Sequence, residues 1–146
     1  VGEPMFDGLE NRISQAVFAI PAVKGIEFGD GFKLSELKGS EARDEYFISD
    51  GKIALNSNHN GGILGGISTG EAVNFRVCIK PTPSISIPSK SVSYSRGENV
   101  ELKISGRHDP CIALRAVPCV EAAAAIAVLD LMLGDINFSG RFVFND

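Results

Sequence analysis

The chain has 146 residues, 44% of them hydrophobic and 22% charged, the size and balance of one globular domain with its own core, which excludes a disordered or collagen-like chain. A net charge of −4 and a pI near 5.2, with no block of consecutive Lys or Arg, exclude an electrostatic footprint for nucleic acid, so any anion site must be local. The three cysteines, Cys78, Cys111 and Cys119, make no C-x-x-C pair. Neither a disulfide framework nor a zinc module is therefore expected, and a reducing cytoplasm is the expected compartment.

Val1 to Phe6 lacks a basic segment followed by an apolar one, so no secretory signal is expected. Phe6, Leu9, Ile13, Ala16, Val17 and Ile20 recur at three- and four-residue steps, which predicts an amphipathic helix that Pro21 helps to end. Val23 to Phe28 reads as a strand stopped by Gly29-Asp30-Gly31, and residues 32–50 read as charged and irregular. A short strand is expected over Ile53 to Leu55. The glycine-rich run Asn56 to Gly70 is too poor in helix formers for a helix.

Ala72 to Lys80 alternates, with Val73, Phe75, Val77 and Ile79 on one face and Arg76 and Lys80 on the other. Pro81-Thr82-Pro83-Ser84 cannot continue a central strand, because neither proline donates a ladder hydrogen bond, so an ordered extended loop is expected. Ser91–Ser95 and Val100–Ile104 predict a hairpin across Arg96–Asn99. Pro118 suits the first turn of a helix that runs through an apolar stretch to Leu133. At roughly 16 residues, and containing Glu121 and Asp130, that stretch is short of the ~20 needed to cross a bilayer, so a core helix covered on most sides is expected and no membrane partner. The tail from Asn137 to Phe144 reads equally as an edge strand or as an arm.

Two segments could carry chemistry. The glycine run could present backbone N–H groups to a phosphate, although it lacks the Lys-Ser/Thr of a P-loop and the dinucleotide spacing, and a tight β-turn with bulges explains it as well. Arg107-His108-Asp109-Pro110 brings a cation, an imidazole and a carboxylate to a turn fixed by proline, which suits a ligand site or a solvated loop with a local ion pair. His59, His108 and the cysteines have no zinc-type spacing, and neither histidine belongs to a triad motif, so no metal site and no hydrolase are expected.

In order along the chain stand Gly2-Glu3-Pro4-Met5-Phe6-Asp7, Ala22-Val23-Lys24-Gly25-Ile26-Glu27-Phe28-Gly29-Asp30-Gly31-Phe32, Asn58-His59-Asn60-Gly61-Gly62-Ile63-Leu64-Gly65-Gly66-Ile67-Ser68, Lys80-Pro81-Thr82, and Gly106-Arg107-His108-Asp109-Pro110-Cys111 with Arg115-Ala116-Val117-Pro118. Together these strings resemble the chorismate synthase family over nearly the whole chain, the Arg-His-Asp-Pro-Cys string being the most specific.

The resemblance implies elimination of phosphate from 5-enolpyruvylshikimate 3-phosphate to give chorismate, with reduced FMN required although the reaction is redox-neutral. It implies an α+β fold: an antiparallel sheet of about four strands with helices packed on one face, one half of a repeated sandwich. By the same resemblance residues 1–146 are a single domain, the C-terminal part of a longer protein that assembles as a homotetramer. The family's two essential histidines, an Arg-Ser-Ser-type flavin segment and several substrate arginines precede the part matched here.

Carried over residue by residue, the resemblance makes Ala22, Gly65, Lys80, Pro81, Thr82, Pro83 and Ser84 flavin contacts. It makes Arg107 a fixed positive charge over flavin and substrate, and Asp109 the acid/base group near flavin N5. Arg115 is a further candidate. Pro21 stands where the family usually has Asn, so a side-chain hydrogen bond from that position is lost. A catalytically silent structural or assembly domain is the alternative reading.

Overall fold

The computed structural model describes residues 1–107 and 109–139, with the side chains of 135–139 excepted. After a 3-10 turn over Met5–Asp7, helix α1 spans Leu9–Phe18. Leu9, Ile13 and Val17 are fully buried along one face, with Ala16 and Ile20 packed beside them, which is the amphipathic spacing read from the sequence. Phe6 does not join them. It lies before the helix and is 84% exposed.

Strand β1 (Val23–Phe28) pairs antiparallel with β6 (Phe75–Ile79), with a bulge between Val23 and Gly25. Its register sets Phe28 opposite Phe75, their rings 5.6 Å apart and tilted. Ile26, Phe28, Phe75 and Val77 pack against the core made by α1, so the alternation read over Ala72–Lys80 turns inward at Phe75 and Val77, whereas Val73 lies before β6 and is exposed.

Residues 32–50 are more ordered than their charge suggests. A 3-10 helix covers Gly31–Glu36, α2 covers Gly39–Ala42, and β2 (Tyr46–Ser49) pairs with β3 (Lys52–Leu55). Asp50 and Gly51, both at positive φ (51° and 75°), make the two-residue turn between them, the Asp-Gly signal of a type I′ hairpin. Within the glycine run, β4 (Ile63–Leu64) and β5 (Ile67–Ser68) form a second tight hairpin. Its turn residues Gly65 and Gly66 have φ of 62° and 85°, a backbone that only glycine adopts without strain.

The hairpin β7 (Ser89–Ser93) and β8 (Glu98–Leu102) turns through Tyr94–Gly97, two residues earlier than predicted. Gly97 at φ 65° closes that turn, its N–H donating to the Ser93 carbonyl at 2.8 Å. The sequence puts Val100, Leu102 and Ile104 on one inward face of this hairpin; Val100 is half-buried, but Leu102 is 43% exposed and Ile104 lies beyond the strand.

The class is α+β, as expected. Among the described residues the strands form four two-stranded antiparallel ladders, however, and not one sheet of about four strands. Three of the ladders are local hairpins, and Pro81, Pro83 and Pro88 between β6 and β7 prevent the sheet from continuing there.

Helix α3 (Ala113–Ser139) begins before Pro118 and carries that proline inside it. It packs against α1: Val120, Ala123, Ala124, Ala127, Val128 and Leu131, at three- and four-residue steps, line the contact. On the other side Ile126, Leu129 and Leu133 are exposed, as are Leu114 and Val117 in the turns that precede the contact. The helix is thus covered on one side, and not on most sides as its composition suggested. The stretch Ala113–Gly134, 22 residues, is also long and apolar enough by length and composition to cross a membrane, because the helix starts earlier than Pro118. Of the tail, 137–139 end α3 and 140–146 lie outside the described residues.

Candidate functional site

Ala22 and Lys80, far apart in sequence, meet at the end of the β1–β6 ladder. The Lys80 N–H donates to the Ala22 carbonyl at 2.8 Å. Ala22 has φ 69°, a left-handed conformation that costs a non-glycine residue about 1 kcal/mol, and strain of this kind gathers where geometry is fixed for function. The Lys80 side chain is exposed. Beyond it the chain runs as the extended, proline-stiffened loop expected over Pro81–Ser84. In that loop Thr82 Oγ1 is buried and finds no hydrogen-bond partner among the described residues, a costly state for a hydroxyl unless a ligand or water completes it.

Gly65 occupies the tip of the β4–β5 hairpin. A Cβ built there would meet nothing within 4 Å, so the backbone is open to a ligand. Its neighbour Gly66 faces inward: a Cβ there would fall 2.8 Å from the Glu3 carbonyl oxygen and 3.0 Å from Gly8 Cα. The Gly66 carbonyl accepts from Leu9 N–H at 2.8 Å and so satisfies one of the free donors at the start of α1.

Arg107 lies exposed on the segment after β8, and Asp109 is half-buried. Arg115, in the first turns of α3, brings Nε to 3.0 Å from Asp109 Oδ2. That is ion-pair distance, but the alignment is not that of a hydrogen bond, and this buried oxygen has no hydrogen-bond partner among the described residues. His108 lies outside the described residues.

The sequence-derived residues thus form three local groups, Ala22 with the Lys80 loop, Gly65 at its hairpin tip, and Asp109 with Arg115, while Arg107 stands exposed two residues before Asp109. A cleft of about 850 Å³ lies elsewhere, between the N-terminal segment and α3, lined by Gly2, Asp7, Arg12 and Asp130 among others. Arg12 bridges Asp130 of α3 and, at 3.7 Å, Asp7. Among the described residues no group of His, Cys, Asp and Glu is placed to hold a metal ion.

Sequence reasoning missed the anchor of the glycine run. Asp44 Oδ1 accepts from Ser57 Oγ at 2.7 Å and from His59 N–H at 2.8 Å, and Oδ2 accepts from Asn60 N–H at 3.0 Å and Asn60 Nδ2 at 2.9 Å. Partial burial pushes the Asp44 carboxyl up, but these four hydrogen bonds outweigh it and hold it down at about 2. His59 Nδ1 sits 2.7 Å from Asp30 Oδ2, and the Asp30 N–H donates to the His59 carbonyl at 2.9 Å. Asn58 closes the loop, its Oδ1 accepting from Gly62 N–H at 2.6 Å and its Nδ2 donating to the Ala72 carbonyl at 2.8 Å. The only signal in the sequence was the density of Asn and Asp, residues that bond nearby backbone.

The chorismate synthase family model matches residues 1–133. The chain is 49% identical to the chorismate synthase of Korarchaeum cryptofilum over 130 residues, which is 89% of this chain and 36% of that protein. It is 50% identical to that of Archaeoglobus fulgidus, covering 91% of this chain and 37% of the relative. With the chorismate synthase of Lancefieldella parvula it shares 52% identity, covering 90% and 35%. A crystal structure of chorismate synthase superposes with a TM-score of 0.54 at 38% identity, over 57% of this chain and 26% of that one. The chain therefore spans a little over a third of the length of these relatives.

Proposed function

Because the chain belongs to the chorismate synthase family, we propose that it supplies part of the flavin and substrate site for the 1,4-elimination of phosphate from 5-enolpyruvylshikimate 3-phosphate to give chorismate. The observation that carries this reading is the junction of Ala22 with Lys80 and its loop, where an exposed cation, a strained backbone and a buried unpartnered hydroxyl stand within a few residues of one another. These features suit a phosphate-bearing ring cofactor, and the open backbone at Gly65 suits the close approach of a flat ring.

In this reading Ala22, Gly65 and Lys80 to Ser84 hold FMN. Lys80 and Arg107 offset the charge of two polyanions, as electrostatic stabilisation of a departing phosphate requires. When bound, reduced FMN supplies the transient electron density that lets the allylic phosphate leave. Asp109 takes and returns a proton at its carboxylate, and Arg115 orients that carboxylate. Overall a C–O bond to phosphate breaks and a ring proton is lost, so the reaction is redox-neutral. The matched region corresponds to the C-terminal part of a cytoplasmic homotetramer, without nucleic acid or membrane among its partners.

The apolar stripe left exposed on α3 favours a second reading, a structural or assembly domain without ligand. An anaerobic FMN titration separates the two. Saturable binding that strengthens with 5-enolpyruvylshikimate 3-phosphate and is weakened about tenfold in Lys80→Ala and in Arg107→Ala supports the site. Absence of binding, or binding indifferent to both substitutions, supports the assembly domain.

A further inference from the structure

We propose that Asp44 is a positioning residue for Gly65, acting through the loop 57–62; this rests on the flavin reading above. The path is short. Asp44 receives four hydrogen bonds from Ser57, His59 and Asn60, and Asn58 then fixes Gly62. The next residue, Ile63, only 2% exposed, is anchored in the core, and two residues beyond it, after Leu64, the chain reaches Gly65 at the hairpin tip. Gly62 holds the returning strand as well, its carbonyl accepting from Thr69 N–H at 2.9 Å.

A second tie reaches the same loop from β1. His59 pairs with Asp30 at 2.7 Å. Gly29 and Gly61 approach so closely that a Cβ on Gly29 would fall 2.0 Å from the His59 carbonyl oxygen, and a Cβ on Gly61 would fall 2.4 Å from Gly29 N. The loop therefore has one seat, defined by backbone contact on one side and by a carboxylate on the other. An anion that accepts from two backbone N–H groups, a hydroxyl and an amide holds such a seat more tightly than neutral acceptors do. Held this way, the backbone of Gly65 meets a ligand without first paying to order itself.

Asp44→Asn keeps the shape of the side chain but removes its charge and sets an amide donor among donors. In the full chain it should weaken FMN binding about tenfold, speed amide hydrogen exchange over 61–66, and change the visible circular dichroism of FMN at saturation. A purely structural role would lower thermal stability yet leave the dichroism of the bound flavin as in the wild type. Ser57→Ala, which removes one of the four hydrogen bonds, should show the same effects at smaller size and serves if Asp44→Asn does not fold. Lys80→Ala should weaken binding with exchange over 61–66 unchanged. Faster exchange with unaltered FMN affinity and spectrum, or unaltered exchange, overturns the positioning role while leaving the flavin reading intact. No FMN binding by the wild type overturns both.

Discussion

The backbone N–H of Lys80 donates to the carbonyl oxygen of Ala22 at 2.8 Å, joining the end of β6 to the strained residue that precedes β1. The ammonium group takes no part in that bond. Lys80→Ala should therefore change stability by less than about 0.5 kcal/mol while weakening FMN binding about tenfold. A thermal melt beside a fluorescence titration checks both, and Lys80→Arg should recover part of the affinity.

Gly65 and Gly66 share one turn but differ in what surrounds them. Gly65→Ala meets open space and pays only for its positive φ, about 1 kcal/mol. Gly66→Ala pays the same and also meets backbone at 2.8 Å and 3.0 Å, so it should lower the melting temperature clearly more. If Gly65 contacts FMN, the milder substitution for stability should be the more harmful for binding.

Acid should loosen the glycine loop. The Asp44 carboxyl is held at about 2 in the folded chain against an ordinary 3.8, so its contribution is fully present above pH 4 and is lost as pH falls toward 2. At a half-exposed site this amounts to about 1 kcal/mol after allowance for solvent screening. Urea unfolding should show Asp44→Asn less stable than wild type at pH 7, with the gap closing near pH 2. Glu10 behaves oppositely. Burial raises its carboxyl above the ordinary 4.5, so ionisation opposes folding as pH rises through that range. Glu10→Gln should gain stability at pH 7 and none at pH 4.

The apolar stripe of α3 should make the chain associate with itself. Ile126 and Leu129, 67% and 51% exposed, lie on the face turned away from α1. Sedimentation velocity should show concentration-dependent association that Ile126→Glu with Leu129→Glu abolishes. By contrast Ile13→Ala, in the fully buried row of α1, should cost about 2–5 kcal/mol without changing association.

Periodicity was enough to find α1 and β6, because a single buried face imposed it. The alternation around Val77 and the spacing of Leu9, Ile13 and Val17 correspond to the residues that pack. It misjudged α3 because two apolar stripes on one helix look like complete burial, whereas among the described residues the Val120 to Leu131 stripe packs on the core and the Ile126 to Leu133 stripe is exposed. Hairpin β2–β3 was obscured by the charged residues before it, although Asp50-Gly51 marked its turn. For the proposed site, Lys80, Gly65 and Asp109 were singled out by the family strings that contain them. The role of Asp44 was not, since its partners lie 13 to 16 residues away and no short-range pattern announces a carboxylate shared by four donors.

The most direct test replaces the 133 matched residues of the Archaeoglobus fulgidus relative with the corresponding segment of this chain. Chorismate formation is then measured anaerobically with reduced FMN and 5-enolpyruvylshikimate 3-phosphate. The account predicts turnover by the hybrid, abolished by Asp109→Asn and strongly reduced by Lys80→Ala. A folded, assembled hybrid that makes no chorismate, or one whose turnover survives Asp109→Asn, would contradict it.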